Sequence, residues 1–135
     1  MRAVDPQATE LMHSAMPFTH ELGIEVLESS TAVVSTRLAW AVGKCTANGA
    51  LHGGALMALA DATGGMCAFL NLPDGGTGTS TIESKTNFLR PVTSGYATAT
   101  AQPLHIGRRT IVVETEIRGD NDKLVAKVTQ TQAVL

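Results

Sequence analysis

The sequence predicts an α+β fold in which a curved antiparallel sheet of roughly six strands wraps one long central helix. Three observations carry this expectation. Residues Gly53 to Leu70 are apolar on nearly every side, the pattern of a helix buried all round; four extended segments follow without another helical pattern; and two more extended segments come before. A chain of 135 residues can bury one continuous core but is too short for two ordinary domains, so residues 1–135 read as a single domain.

Taken in order, Pro6 to Met16 sets Ala8, Leu11, Met12, Ala15 and Met16 at helical spacing, which predicts a short leading helix over about 6–16 that Pro17 closes. Ile24 to Glu28 and Ala32 to Trp40 read as strands, the second rich in β-branched residues, with a hairpin turn at Ser29-Ser30. Ala41 to Ala50, with Gly43 and Gly49, reads as a loop before the central helix. Asn71-Leu72-Pro73-Asp74-Gly75-Gly76 breaks that helix. Strands are then expected over Thr77 to Leu89, Ser94 to Leu104, Arg109 to Arg118 and Lys123 to Leu135, the last two joined by a turn at Gly119-Asp120-Asn121-Asp122. Ile82, Ser84, Thr86 and Phe88 alternate with Thr81, Glu83, Lys85 and Asn87, and Ile111, Val113 and Ile117 alternate with Glu114, Glu116 and Arg118, as in half-buried antiparallel strands.

The net charge is -2 and basic residues are scattered except at Arg108-Arg109, which argues against a nucleic-acid partner. Met1 to Glu10 lacks the apolar stretch of a signal sequence, and the apolar run Ala55 to Ala60 stops at Asp61, short of a membrane span. The expectation is a cytoplasmic protein without a membrane partner. Cys45 and Cys67 stand 22 positions apart with no Cys-x-x-Cys pattern and read as buried free thiols. His13, His20, His52 and His105 are dispersed, and His20-Glu21 lacks the second histidine of a His-Glu-x-x-His site, so no metal is expected.

Chemistry concentrates in Leu51 to Asp61. A carboxylate removed from water without partners costs several kcal/mol, so Asp61 within an apolar helix must be hydrogen-bonded, protonated or used in a reaction. The structural alternative is a carboxylate satisfied by Thr63 or by backbone groups. Gly53 and Gly54 leave backbone N–H groups clear at a helix start, where unpaired donors and the helix dipole favour an anion such as the oxyanion of acyl transfer. Asp61 would then serve as nucleophile or as the base that activates water. Gly53 and Asp61 are eight positions apart, roughly 12 Å along one helix at about 1.5 Å per residue, so they cannot meet within one chain. Two antiparallel copies about a two-fold axis would join them, which predicts a homodimer with two shared sites. Gly64 and Gly65, costly in a helix interior, point to close packing.

His52-Gly53-Gly54 followed by Leu59-Ala60-Asp61, with Asn87-Phe88-Leu89-Arg90-Pro91 and Gly107-Arg108-Arg109-Thr110, resembles the hotdog-fold acyl-CoA thioesterases, specifically the PaaI-like group, over about Leu22 to Leu135. The resemblance implies a long helix wrapped by an antiparallel sheet, a dimer with shared sites that commonly pairs into a tetramer, and hydrolysis of acyl-CoA with no cofactor beyond the coenzyme A of the substrate. It makes Gly53 the backbone donor to the thioester carbonyl, His52 the residue shaping the turn into the helix, and Asp61 the catalytic carboxylate. Thr81 falls where relatives place the attacking water, with Thr79 as the alternative in another register. Relatives carry Asn or Gln six positions before the His; this chain has Thr46 there and Asn48 four before, so that Asn48 reaches in from a shifted loop, Thr46 serves weakly, or activity is reduced. Gly54 and Thr46 join the expected substrate contacts, and Arg90, Arg108 and Arg109 are candidates for the coenzyme A phosphates, with plain surface charge the other reading of each. A non-catalytic acyl-CoA binding protein is the alternative function. A hydroxyacyl or enoyl thioester dehydratase is a third, for which the His-Gly-Gly arrangement is less suited.

Overall fold

A computed structural model describes residues 2–135. Its elements are α1 (Pro6–Ala15), α2 (Pro17–Leu22), β1 (Glu25–Ser29), β2 (Val34–Ala39), α3 (Gly53–Leu70), β3 (Thr79–Phe88), β4 (Tyr96–Ile106), β5 (Thr110–Arg118) and β6 (Leu124–Val134). All strands join one antiparallel six-stranded sheet in the order β1-β2-β4-β5-β6-β3, and α3 packs across β2 to β6. This is the α+β arrangement the sequence predicts.

The leading helix differs from expectation. Pro17 does not only close α1; it opens α2 as that helix's first residue, a position where the missing N–H costs nothing. Gly23, at φ 72°, then ends α2 in the left-handed conformation that glycine adopts without strain. At the other end of α1, the Asp5 carboxylate caps the helix by accepting from the Ala8 N–H at 2.9 Å. The first hairpin turns at Ser30, whose N–H donates to Val33 O, and β2 starts two residues later than the expected Ala32. The expected loop before α3 contains two short 3-10 turns, Val42–Lys44 and Ala47–Gly49.

The core lies between α3 and the sheet. Ala97, Ala99 and Ala101 of β4 and Ile111, Val113 and Ile117 of β5 are fully buried, the small alanines giving the helix room to approach. By length and composition α3 is apolar enough to cross a membrane, with a mean hydropathy of 1.3 over 18 residues, more than its reading as a run ended by Asp61 allowed. Its place here is against the sheet. The helix is not buried on every side, however. Leu56, Leu59, Ala60, Thr63, Gly64, Cys67 and Ala68 face the core, while Gly54, Met57, Asp61 and Phe69 are exposed at helical spacing. One sheet covers one side of a helix, and among the described residues no second layer covers the other.

Strand β3 sits at the edge of the sheet and pairs only with β6 among the described residues. A bulge between Thr81 and Glu83 interrupts its register: Thr81 pairs with Gln132, and Ser84 with Gln130. Directly paired residues share a face, so the extra residue places Thr81 on the same helix-facing side as Ser84, Thr86 and Phe88. The uninterrupted alternation expected from the sequence sets Thr81 on the opposite side.

Candidate active site

The site grows from the bulge and the middle of α3. Thr81 Oγ1 donates to Asp61 Oδ1 at 2.6 Å, and Gln130 Nε2 donates to the same oxygen at 3.1 Å. Gln132 Nε2 in turn donates to Thr81 Oγ1 at 2.6 Å. Both glutamine side chains come from β6 and are buried, Gln130 at 0 % and Gln132 at 1 % exposure. Asp61 Oδ2 accepts no hydrogen bond among the described residues. Asp61 itself is exposed, so in the single chain it is a partnered carboxylate at the surface, not one withdrawn from water. Thr63 is not its partner: that hydroxyl is buried on the sheet side, donating to Leu59 O and meeting Thr36 Oγ1, each at 2.6 Å. The bulge brings Thr81 to Asp61, and no side-chain hydrogen bond joins Thr79 to it.

The second half of the site is the start of α3. His52 is its N-cap residue, and its Nδ1 accepts from the Gly54 N–H at 2.8 Å. An accepting Nδ1 fixes the neutral tautomer with the proton on Nε2. The His52 carbonyl takes the Ala55 and Leu56 N–H groups. Among the described residues the Gly53 N–H alone of this turn has no acceptor, so the imidazole satisfies Gly54 and leaves Gly53 as the free donor at the positive end of an 18-residue helix. A Cβ on Gly53 would stand 3.1 Å from the Phe88 ring, which closes one side of that donor. Gly54, expected among the substrate contacts, has its N–H already engaged.

The remaining expected residues stand apart. Asn48 and Thr46 are exposed in the loop before α3 and make no side-chain hydrogen bond among the described residues; Asn48 has a left-handed backbone at φ 73°. Arg90 Nη1 donates to Leu124 O at 2.7 Å and so braces the chain leaving β3. Arg108 and Arg109 are exposed in the β4–β5 turn. Pairing of Thr110 with Ala133 and of Thr79 with Val134 puts that turn near the first residue of β3, whereas Arg90 follows its last. The arginines thus lie at opposite ends of a strand about 30 Å long at about 3.3 Å per residue. Cys45 is half-buried rather than buried, with Sγ donating to Ala41 O, while Cys67 is fully buried. Among the described residues no group of three or more His, Cys, Asp or Glu is placed to hold a metal ion.

Gln130 and Gln132 are functional candidates that sequence reading missed. Their signal was present: Ala126, Val128, Gln130 and Gln132 alternate along β6, so two amides occupy the inward register of a strand.

Residues 48–126 match the profile of the thioesterase superfamily. Over 124 residues the chain is 31 % identical to Rv1847 of Mycobacterium tuberculosis, provisionally named an esterase, covering 90 % of this chain and 89 % of that protein. Among solved structures, thioesterase HI1161 of Haemophilus influenzae superposes with a TM-score of 0.86 at 29 % identity, covering 95 % of this chain and 87 % of that one. The E. coli PaaI protein from the phenylacetic acid degradation operon superposes with a TM-score of 0.85 at 25 % identity, covering 96 % and 91 %.

Proposed function

The chain belongs to the thioesterase superfamily and is a hydrolase with the hotdog fold, and on that premise we propose that it cleaves acyl-CoA thioesters to a carboxylic acid and free coenzyme A. The observation that carries this reading is the complementary state of two groups: a carboxylate anchored through one oxygen with the other free, and a helix-terminal N–H without an acceptor among the described residues. Water attacks the carbonyl carbon as its proton passes to Asp61, and the carbonyl electrons move onto oxygen, where the Gly53 N–H stabilises the alkoxide. Collapse breaks the C–S bond, and the leaving thiolate takes the proton back from Asp61. In the other route Asp61 Oδ2 attacks the carbonyl carbon and expels the thiolate, and water then opens the resulting anhydride at the Asp61 carbonyl carbon, one of its protons passing to the thiolate. A single turnover in 18O-labelled water separates them, because only the anhydride route leaves label on Asp61.

Asp61 and Gly53 of one site come from two copies of the chain in this proposal. The exposed face of α3 and the open edge of β3, flanked by Ile82 at 64 % and Phe88 at 50 % exposure, support a second copy laid antiparallel about a two-fold axis. The same axis carries one copy's Arg108 and Arg109 toward the other's Arg90, a basic patch suited to the coenzyme A phosphates. Two such dimers pair into a tetramer, and the location is cytoplasmic, as the family resemblance and the composition suggest. Thr46 or Asn48 supplies a further polar contact to the thioester.

Thiol release measured across phenylacetyl, hydroxybenzoyl and medium-chain acyl-CoA substrates tests the proposal. Turnover is expected with at least one substrate, lowered at least about a thousandfold by Asp61→Ala with fold and dimer retained. Undiminished turnover in that variant refutes the mechanism. Acyl-CoA binding by calorimetry with no thiol release makes the protein a binding module instead.

A further inference from the structure

Asp61, Thr81, Gln130 and Gln132 fix the direction of every hydrogen bond between them. A carboxylate only accepts, so the single hydroxyl proton of Thr81 must point to Asp61 Oδ1 across the 2.6 Å contact. Thr81 Oγ1 can then meet Gln132 only by accepting, which requires the amide nitrogen of Gln132 to face it, as it does at 2.6 Å. By the same logic Gln130 must present nitrogen to Oδ1. Its own carbonyl Oε1 is left buried without a hydrogen-bond partner among the described residues. It lies so close over Gly64 that any Cβ there would overlap it.

We propose that Gln130 and Gln132 are positioning residues that, through Oδ1 and Thr81, lock Asp61 in one orientation and reserve Oδ2 as its reacting oxygen. The inference rests on the thioesterase reading and deepens it. Gln130 acts on the carboxylate directly, whereas Gln132 acts only by holding the Thr81 hydroxyl. Thr81 therefore has no proton to give the attacking water; it can only accept from it, through its remaining lone pair.

The test is a double-mutant cycle on kcat. Gln132→Met and Gln130→Met keep side-chain length, and each should lower kcat at least about tenfold with KM unchanged, since loss of orientation at a reacting group can cost up to about a hundredfold. With Thr81→Val already in place, Gln132→Met should change kcat by less than about twofold, while Gln130→Met, which acts on the carboxylate directly, still lowers it. A structural role predicts the reverse: the same loss from Gln132→Met in both backgrounds. That result, or unchanged kcat in the single variants, overturns the proposal. The side-chain amide resonances of 15N-labelled Gln130 and Gln132 give a readout without turnover. Asp61→Asn should move both and Thr81→Val that of Gln132; unmoved signals overturn the network even if every acyl-CoA is refused, an outcome that by itself would count only against the thioesterase reading.

Discussion

Gly64 and Gln130 share one volume, and this sets the tightest residue-level constraint near the site. Glycine in a helix interior costs about 1 kcal/mol relative to alanine, so helix propensity alone predicts that Gly64→Ala stabilises the protein. The overlap with Gln130 Oε1 predicts the opposite. We expect Gly64→Ala to lower both Tm and kcat, and a second change, Gln130→Ala, to recover part of the Tm but none of the kcat, as read by thermal melts and thiol release. The sequence marks Gly64 as a close-packing position. What it packs against, an amide 66 positions later, depends on the register of β6 under α3.

At the scale of elements, α3 joins two environments. Its sheet side carries Cys67, where burial pushes the thiol up to about 11. A free thiol in the unfolded chain ionises near 9. Between these values the unfolded chain has lost its proton and the folded chain keeps it, so stability must fall as pH rises. We expect the wild type to lose up to about 3 kcal/mol from this group between pH 9 and 11 in urea titrations, and Cys67→Ala to remove that part of the slope. Strand β3 illustrates the limit of periodicity. Its strand character was legible from alternating residues, but the bulge between Thr81 and Glu83 was not, because a bulge is set by how two strands meet across the sheet. That one extra residue decides which side Thr81 faces.

For the whole molecule, the exposed stripe Gly54, Met57, Asp61 and Phe69 and the open β3 edge leave α3 half covered. In the proposed dimer each site takes Asp61 from one copy and Gly53 from the other. A heterodimer of an Asp61→Ala chain with a Gly53→Pro chain, which lacks the donor N–H, contains one intact site and one doubly damaged site. It should retain about half the wild-type activity, while each mutant homodimer is nearly inactive. Absence of activity in the purified heterodimer would rule out sites shared in this way.

The sequence by itself determined the order of the strands and the long helix, the α+β class and the presence of a glycine helix start with a carboxylate eight positions on, because these depend on local spacing and residue type, but not the second short helix that Pro17 opens. It also placed Asp61, Gly53 and His52 in one short segment. Only the tertiary structure decided that His52 occupies the Gly54 N–H and leaves that of Gly53 free, that Thr81 turns inward, and that two glutamines from the last strand hold the carboxylate. These relations join residues up to 69 positions apart, and their geometry follows from strand register and packing, which no local pattern encodes.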